Sequence, residues 1–258
     1  MLIPSGNNIA ALLAEWDAGS QAAFVTKMNA QARVLGMGGT CYADASGVDA
    51  ATVSTAADQF RLAVRALAVP AFGQMVAMAQ VRLPAAGLAY NVNSALGHDG
   101  INGVKTGSSS LAGGCLAASH QVAGSTATIV GVVLGVLPTA AQPSELAGVI
   151  AASENLLPSV SGSLEHVQIV KPGTVLGRVR SAWAAGPNAI AASGITVTGW
   201  PGMPVTVQVT PRPLPPAVRR GQPIVSATIT VGSEVARIML DAGRAVTPPF
   251  LRWRLTRL

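Results

Sequence analysis

The apolar pattern of this chain changes period along its length, which confines helices to the first part and sheet to the remainder. Ile9, Leu12, Leu13 and Trp16 recur at helical spacing ahead of Gly19, predicting a helix over 7–18. A second helix fits 21–35, with Phe24, Val25, Met28 and Leu35 inward and Gly36 as its stop. Ser54 or Thr55 caps a third through Phe60, Val64 and Leu67, which Pro70 ends, and 71–79 adds another turn or two. The Gly- and Asn-rich stretches at 36–49 and 91–103 are loops.

Strand character begins near Val104 and Lys105 and returns at Cys115 to Ser119 and Thr128 to Leu134. Ser144 to Leu157, opened by Pro143 and closed by Pro158, reads as a helix long enough to cover a sheet. Beyond about 159 the pattern is wholly β. Val205, Val207 and Val209 alternate with Thr206, Gln208 and Thr210, and Val225, Ala227, Ile229 and Val231 alternate with Ser226, Thr228 and Thr230. Both are expected to be half-buried strands. In the tail, Leu251, Trp253 and Leu255 alternate with Arg252, Arg254 and Thr256, which fits a final strand better than an amphipathic helix. The domains are therefore set at 1–158 and 159–258, the second a small β-rich module.

Half of the 258 residues are hydrophobic and only 11% are charged, too apolar for a disordered chain. Residues 1–158 carry six Lys/Arg against eight Asp/Glu, and residues 159–258 carry eleven against three. The basic second half fits either an anionic surface or a solvated arginine face. His98, His120 and His166 are scattered without metal-ligand spacing, so no cofactor or metal is expected. Two cysteines, Cys41 and Cys115, leave one disulfide open as an option. The chain shows no signal peptide. Its longest apolar run, Thr128 to Leu137, is shorter than the ~20 residues that span a bilayer. Any membrane association is then not by a transmembrane helix.

Two short motifs carry chemistry. Ser5-Gly6-Asn7 opens the first helix, and Lys105-Thr106-Gly107 lies one hundred positions later, where strand character begins. Around them stand Ile3-Pro4, Asn8, Met28-Asn29-Ala30, Leu35-Gly36, Ser46-Gly47-Val48-Asp49, Asn102-Gly103-Val104, Ser109 and Ala112-Gly113. In this order, over roughly residues 1–157, they resemble serine-type D-alanyl-D-alanine carboxypeptidases, the low-molecular-mass penicillin-binding proteins. Such enzymes line their cleft with Ser-x-x-Lys, Ser-x-Asn and Lys-Thr-Gly. The first is absent here: Lys27, Lys105 and Lys171 follow Phe24, Asn102 and Gln168 by three places, and there is no other lysine.

The resemblance implies an α/β (α+β) domain of the serine β-lactamase/DD-peptidase type, N-terminally truncated, followed by a small all-β module. Helix and sheet faces that the preceding segment would cover are expected to be exposed. The implied activity is removal of the terminal D-Ala from peptidoglycan stem peptides through an acyl-enzyme. The partners would be a stem peptide ending in D-Ala-D-Ala and, for the intact enzyme, β-lactams; nucleic acid is not among them. The implied location is extracytoplasmic. By resemblance, Ser5 relays a proton to the leaving amine, and Asn7 holds the substrate amide and the Ser-x-x-Lys lysine. Lys105 places a positive charge beside Ser5 and the substrate carboxylate, and Thr106 offers that carboxylate a hydroxyl. Gly107 and Ser109 line the strand edge along which substrate lies. Without the nucleophile, residues 1–258 are expected to be inactive by themselves.

Other readings compete. Ser5 is also a natural helix N-cap, Asn7 and Asn8 turn residues, and Lys105 a surface lysine at a strand start. A phosphate-binding loop over Gly100–Thr106 would need glycine directly before Lys-Thr, where Val104 stands. A degenerate protein that binds peptidoglycan or a partner without turnover remains the alternative function.

Overall fold

The computed structural model describes residues 1–123, 127–200, 202–210, 212–232 and 234–255. It divides into two compact units, Met1–Gly162 and Ser163–Leu258. The first begins with four helices: α1 (Asn7–Ala18), α2 (Gln21–Val34), α3 (Ala56–Leu67) and α4 (Pro70–Val76). Their ends follow local chemistry. Ser20 Oγ accepts from the Ala23 amide at the start of α2, and Thr55 Oγ1 from the Asp58 amide at the start of α3. Gly19 and Gly36 adopt left-handed φ after α1 and α2. On α1 only Ala14 is fully buried, and Leu12, Leu13 and Trp16 are exposed.

A hairpin of β1 (Gln80–Leu83) and β2 (Gly87–Tyr90) follows, which the sequence pattern did not suggest. Four residues per strand give too few alternations to register as a period. Next comes a three-stranded antiparallel sheet in the order β3 (Ile101–Ser109), β4 (Gly113–Gln121) and β5 (Thr128–Val136), so β3 is an edge strand. Helix α5 (Glu145–Ser161), capped by Ser144, covers it. Its Val149, Ile150 and Leu157 bury against Ile101, Leu116 and Ala118. The approach is close enough to require glycine at 114, where a Cβ would lie 2.0 Å from the Glu145 carbonyl oxygen.

Pro158 does not end α5. It sits inside the last turn, which closes with the Gly162 amide bonded to the Pro158 carbonyl at 2.8 Å. Proline forfeits its own N–H bond and crowds the carbonyl four residues earlier, a local cost that falls on the end of the helix, where a single turn remains. The two compact units meet at Gly162 and Ser163.

In the second unit a five-stranded sheet runs β10–β11–β12–β8–β7. These strands are β7 (Val175–Arg178), β8 (Asn188–Ala191), β10 (Val205–Thr210), β11 (Pro223–Val231) and β12 (Glu234–Ala242). A separate antiparallel pair joins β6 (Glu165–Val170) to β9 (Ile195–Gly199). Val170, Ile195 and Val197 from the pair share one core with Val225, Ala227, Ile229, Val231 and Leu240 from the sheet. β11 alternates as expected. β10 does not: all six residues of this edge strand are exposed. The tail also departs from expectation. Leu251–Leu255 forms a short helix, α6, since Leu251 and Leu255 suit i,i+4 spacing as well as alternation. Residues 256–258 of that tail lie outside the described residues.

Candidate active site

The N-terminal segment is pinned before α1 starts. Ile3 is buried and its carbonyl accepts from the Val92 amide at 3.2 Å, while the Gly6 amide donates to the Met1 carbonyl at 3.1 Å. Between them Ser5 takes φ +56°, a left-handed conformation that costs a non-glycine residue about 1–3 kcal/mol. The N-cap of α1 is Gly6, with no side-chain cap bond. Ser5 is therefore not the cap that its place before a helix suggests. Its side chain goes elsewhere.

It meets Lys105. The lysine Nζ donates to Ser5 Oγ at 2.6 Å and to the carbonyl of Thr106 at 2.5 Å. Lys105 stands on edge strand β3, paired with Ala117 on β4. Just before it, Gly103 allows α4 to pack directly on the strand, since a Cβ there would lie 2.9 Å from Val76 Cγ2. Burial of the ammonium lowers its pKa below the ordinary lysine value of 10.5. Among the described residues the ion pairs are Lys27–Asp17 and Arg61–Asp58, so Lys105 faces no carboxylate. An ammonium held without a carboxylate partner gives the cleft a positive potential.

That cleft, of about 500 Å³, is lined by Ser5, Gly6, Asn7, Lys105, Thr106, Gly107 and Ser108, together with Ala45 to Val48. Thr106 is buried, whereas Asn7 and Gly107 are exposed. Five of the six residues singled out from sequence thus share one cavity. Ser109 lies beyond its lining, where its Oγ accepts from the Ala112 amide in the turn to β4. Ser108 and Ala45 are among the lining residues that motif reading passed over, whereas Ser46-Gly47-Val48 stood among the quoted matches. For the loop a signal existed, because Asp-x-Ser-Gly is a common way to fold a turn around a carboxylate.

A second cavity, of about 350 Å³, is lined mainly by Phe24, Met28, Ala32, Leu35, Met37 and Leu62. Asp17, Lys27, Gln31 and Tyr42 complete its lining, which includes neither Ser5 nor Lys105. Among the described residues no group of three or more His, Cys, Asp or Glu is placed to hold a metal, and Cys41 and Cys115 are free thiols. No helix among them is long and apolar enough to cross a membrane.

The family model of D-alanyl-D-alanine carboxypeptidases matches residues 1–137. The chain belongs to this family. The D-alanyl-D-alanine endopeptidase of Escherichia coli K12 is 35% identical over 122 residues, covering 45% of this chain and 39% of that protein. The chain thus spans about two fifths of the length of that curated relative. Penicillin-binding protein D2 of Listeria monocytogenes, solved with ampicillin bound, superposes with a TM-score of 0.50 at 29% identity, over 58% of this chain and 64% of its own. Penicillin-binding protein 5 of Haemophilus influenzae covers 95% of this chain and 72% of its own, with a TM-score of 0.60. At 20% identity, that match establishes the shared fold. As a carboxypeptidase-family chain it holds the Ser-x-Asn and Lys-Thr-Gly motifs in one cleft, while residues 1–258 hold no Ser-x-x-Lys.

Proposed function

We propose that this chain forms the substrate-holding side of a serine-type D-Ala-D-Ala carboxypeptidase that trims peptidoglycan stem peptides outside the cytoplasm. The observation that carries the reading is the 2.6 Å bond from Lys105 Nζ to Ser5 Oγ. It joins the two motifs and leaves an ammonium without a carboxylate partner in a cleft of about 500 Å³. Lys105 would attract the terminal carboxylate and Thr106 would offer it a hydroxyl. Ser5, held by the same ammonium, would pass a proton to the leaving amine of D-Ala. Asn7, whose amide bonds to no described residue, would hold the substrate amide. Gly107 leaves the β3 edge open, so an extended peptide can pair with it as an added strand, and Ser109 would extend that edge.

Acyl transfer also needs a nucleophile, which these 258 residues do not provide in Ser-x-x-Lys form. They are therefore expected to bind peptide without cleaving it, and to take up no label from a fluorescent penicillin. The test is a titration with diacetyl-L-Lys-D-Ala-D-Ala and with the same peptide amidated at its C-terminus. Saturable binding of the acid and at least ten-fold weaker binding of the amide are expected. Equal affinity for the two would remove the carboxylate-site reading.

A further inference from the structure

One wall of the cleft is shaped by a side chain that does not line it. Ala45, Ser46, Gly47 and Val48 face the cavity, and Asp44 precedes them. The Asp44 carboxylate gathers five hydrogen bonds. Oδ2 accepts from the Ser46 amide at 3.0 Å, the Ser46 hydroxyl at 2.5 Å and the Val48 amide at 3.1 Å. Oδ1 accepts from the Gly47 amide at 3.0 Å and from Thr52 Oγ1 at 3.2 Å. The same Thr52 oxygen accepts from the Ala43 amide at 3.0 Å, which ties the two ends of the loop together. Gly47 makes the tight path feasible with φ +83°.

This arrangement consumes three of the four amide donors of residues 45–48, all but that of Ala45, and leaves the acceptors. The amides of Ser46, Gly47 and Val48 all point into Asp44, whereas the carbonyls of residues 45–48 accept nothing among the described residues. Val48 adds an exposed apolar side chain, and the four residues carry no charge. The loop is thus complementary to the uncharged body of a peptide, whose N–H groups need acceptors. It is not complementary to the carboxylate end.

We infer that Asp44 is a positioning residue: it folds residues 45–48 into a wall that accepts a peptide N–H of the ligand ahead of its terminal carboxylate. This rests on the peptide-binding reading above. Carboxylate and peptide body are then read by different parts of the cleft, the first by Lys105 and Thr106, the second by the Asp44-built loop. Replacing the acid frees three amides and turns an acceptor surface into a mixed one, so ligands that reach the loop lose affinity and shorter ones do not.

The test compares diacetyl-L-Lys-D-Ala-D-Ala with N-acetyl-D-Ala on the full 258-residue chain, by titration of ligand-induced NMR shifts. Asp44→Ala is expected to weaken the tripeptide five- to twenty-fold and N-acetyl-D-Ala less than two-fold. Asp44→Asn, which keeps one acceptor oxygen, should fall between Asp44→Ala and the unaltered chain for the tripeptide. Equal losses for both ligands in both variants would mean that the acid only holds the fold, and would overturn the inference, as would no loss in either. A separate result, in which the unaltered chain does not distinguish the tripeptide from its C-terminal amide, would overturn the parent reading and this one with it.

Discussion

Ser5 and Lys105 are one hundred residues apart in the chain and 2.6 Å apart in space. The serine reaches the lysine because its backbone is left-handed and Gly6, not Ser5, caps α1. A conformation that costs energy and forgoes a cap persists only when surrounding contacts enforce it. Here those contacts are the burial of Ile3 and its bond to Val92.

Lys105 should lose its charge at lower pH than an ordinary lysine, because burial disfavours the ammonium. Affinity for a peptide acid should decline on the alkaline side beginning below pH 10.5, while any binding of the amide stays flat. Titrations between pH 7 and pH 10 check this. A decline shared by acid and amide would point to unfolding instead.

Asp44 should keep the 45–48 loop ordered well into acid. Desolvation raises its pKa, but the Ser46 hydroxyl and the Val48, Ser46 and Gly47 amides outweigh it, holding it at about 2 against 3.8 when free. A depressed carboxylate pKa gives stability that is fully present above 3.8 and is lost as pH falls through about 2. Exchange protection of the Ser46, Gly47 and Val48 amides should thus survive at pH 4 and disappear near pH 2. Loss already at pH 4 contradicts the bonding scheme.

Gly114→Ala should be severely destabilising, by about 3 kcal/mol or more, since the added methyl would meet the α5 backbone rather than a flexible side chain. Denaturant melts of the variant give the figure. Leu157→Ala, from a 1% exposed position in the same core, should cost about 2–5 kcal/mol.

Thr55→Ala should cost about 1 kcal/mol through loss of the α3 cap, and Thr55→Ser should recover most of it. A thermal melt of the pair separates loss of the cap from loss of the Thr55 methyl group.

Much of this was legible in the residues, for identifiable reasons. α1, α2 and α3 carry period and stop signals in a dozen or so positions each, and both motifs keep their order at any distance. The features that escaped are those fixed by tertiary contact. β10 alternates well, yet it lies exposed at an edge, and a strand's place in its sheet is a property of its neighbours. Leu251–Leu255 satisfies two periods at once, and five residues cannot decide between them. Ser5 reads as a cap in sequence, because the contact that turns it away lies one hundred residues on. Asp44 was missed beside the quoted Ser46-Gly47-Val48-Asp49 because its role is to bond backbone, and a motif records side chains.

The most direct test of the account is the affinity of diacetyl-L-Lys-D-Ala-D-Ala for the unaltered chain and for Lys105→Ala, each measured against the C-terminal amide. The account predicts that the unaltered chain prefers the acid by at least ten-fold and that Lys105→Ala abolishes the preference while the fold melts as before. A preference that survives without Lys105, or none to begin with, would contradict it.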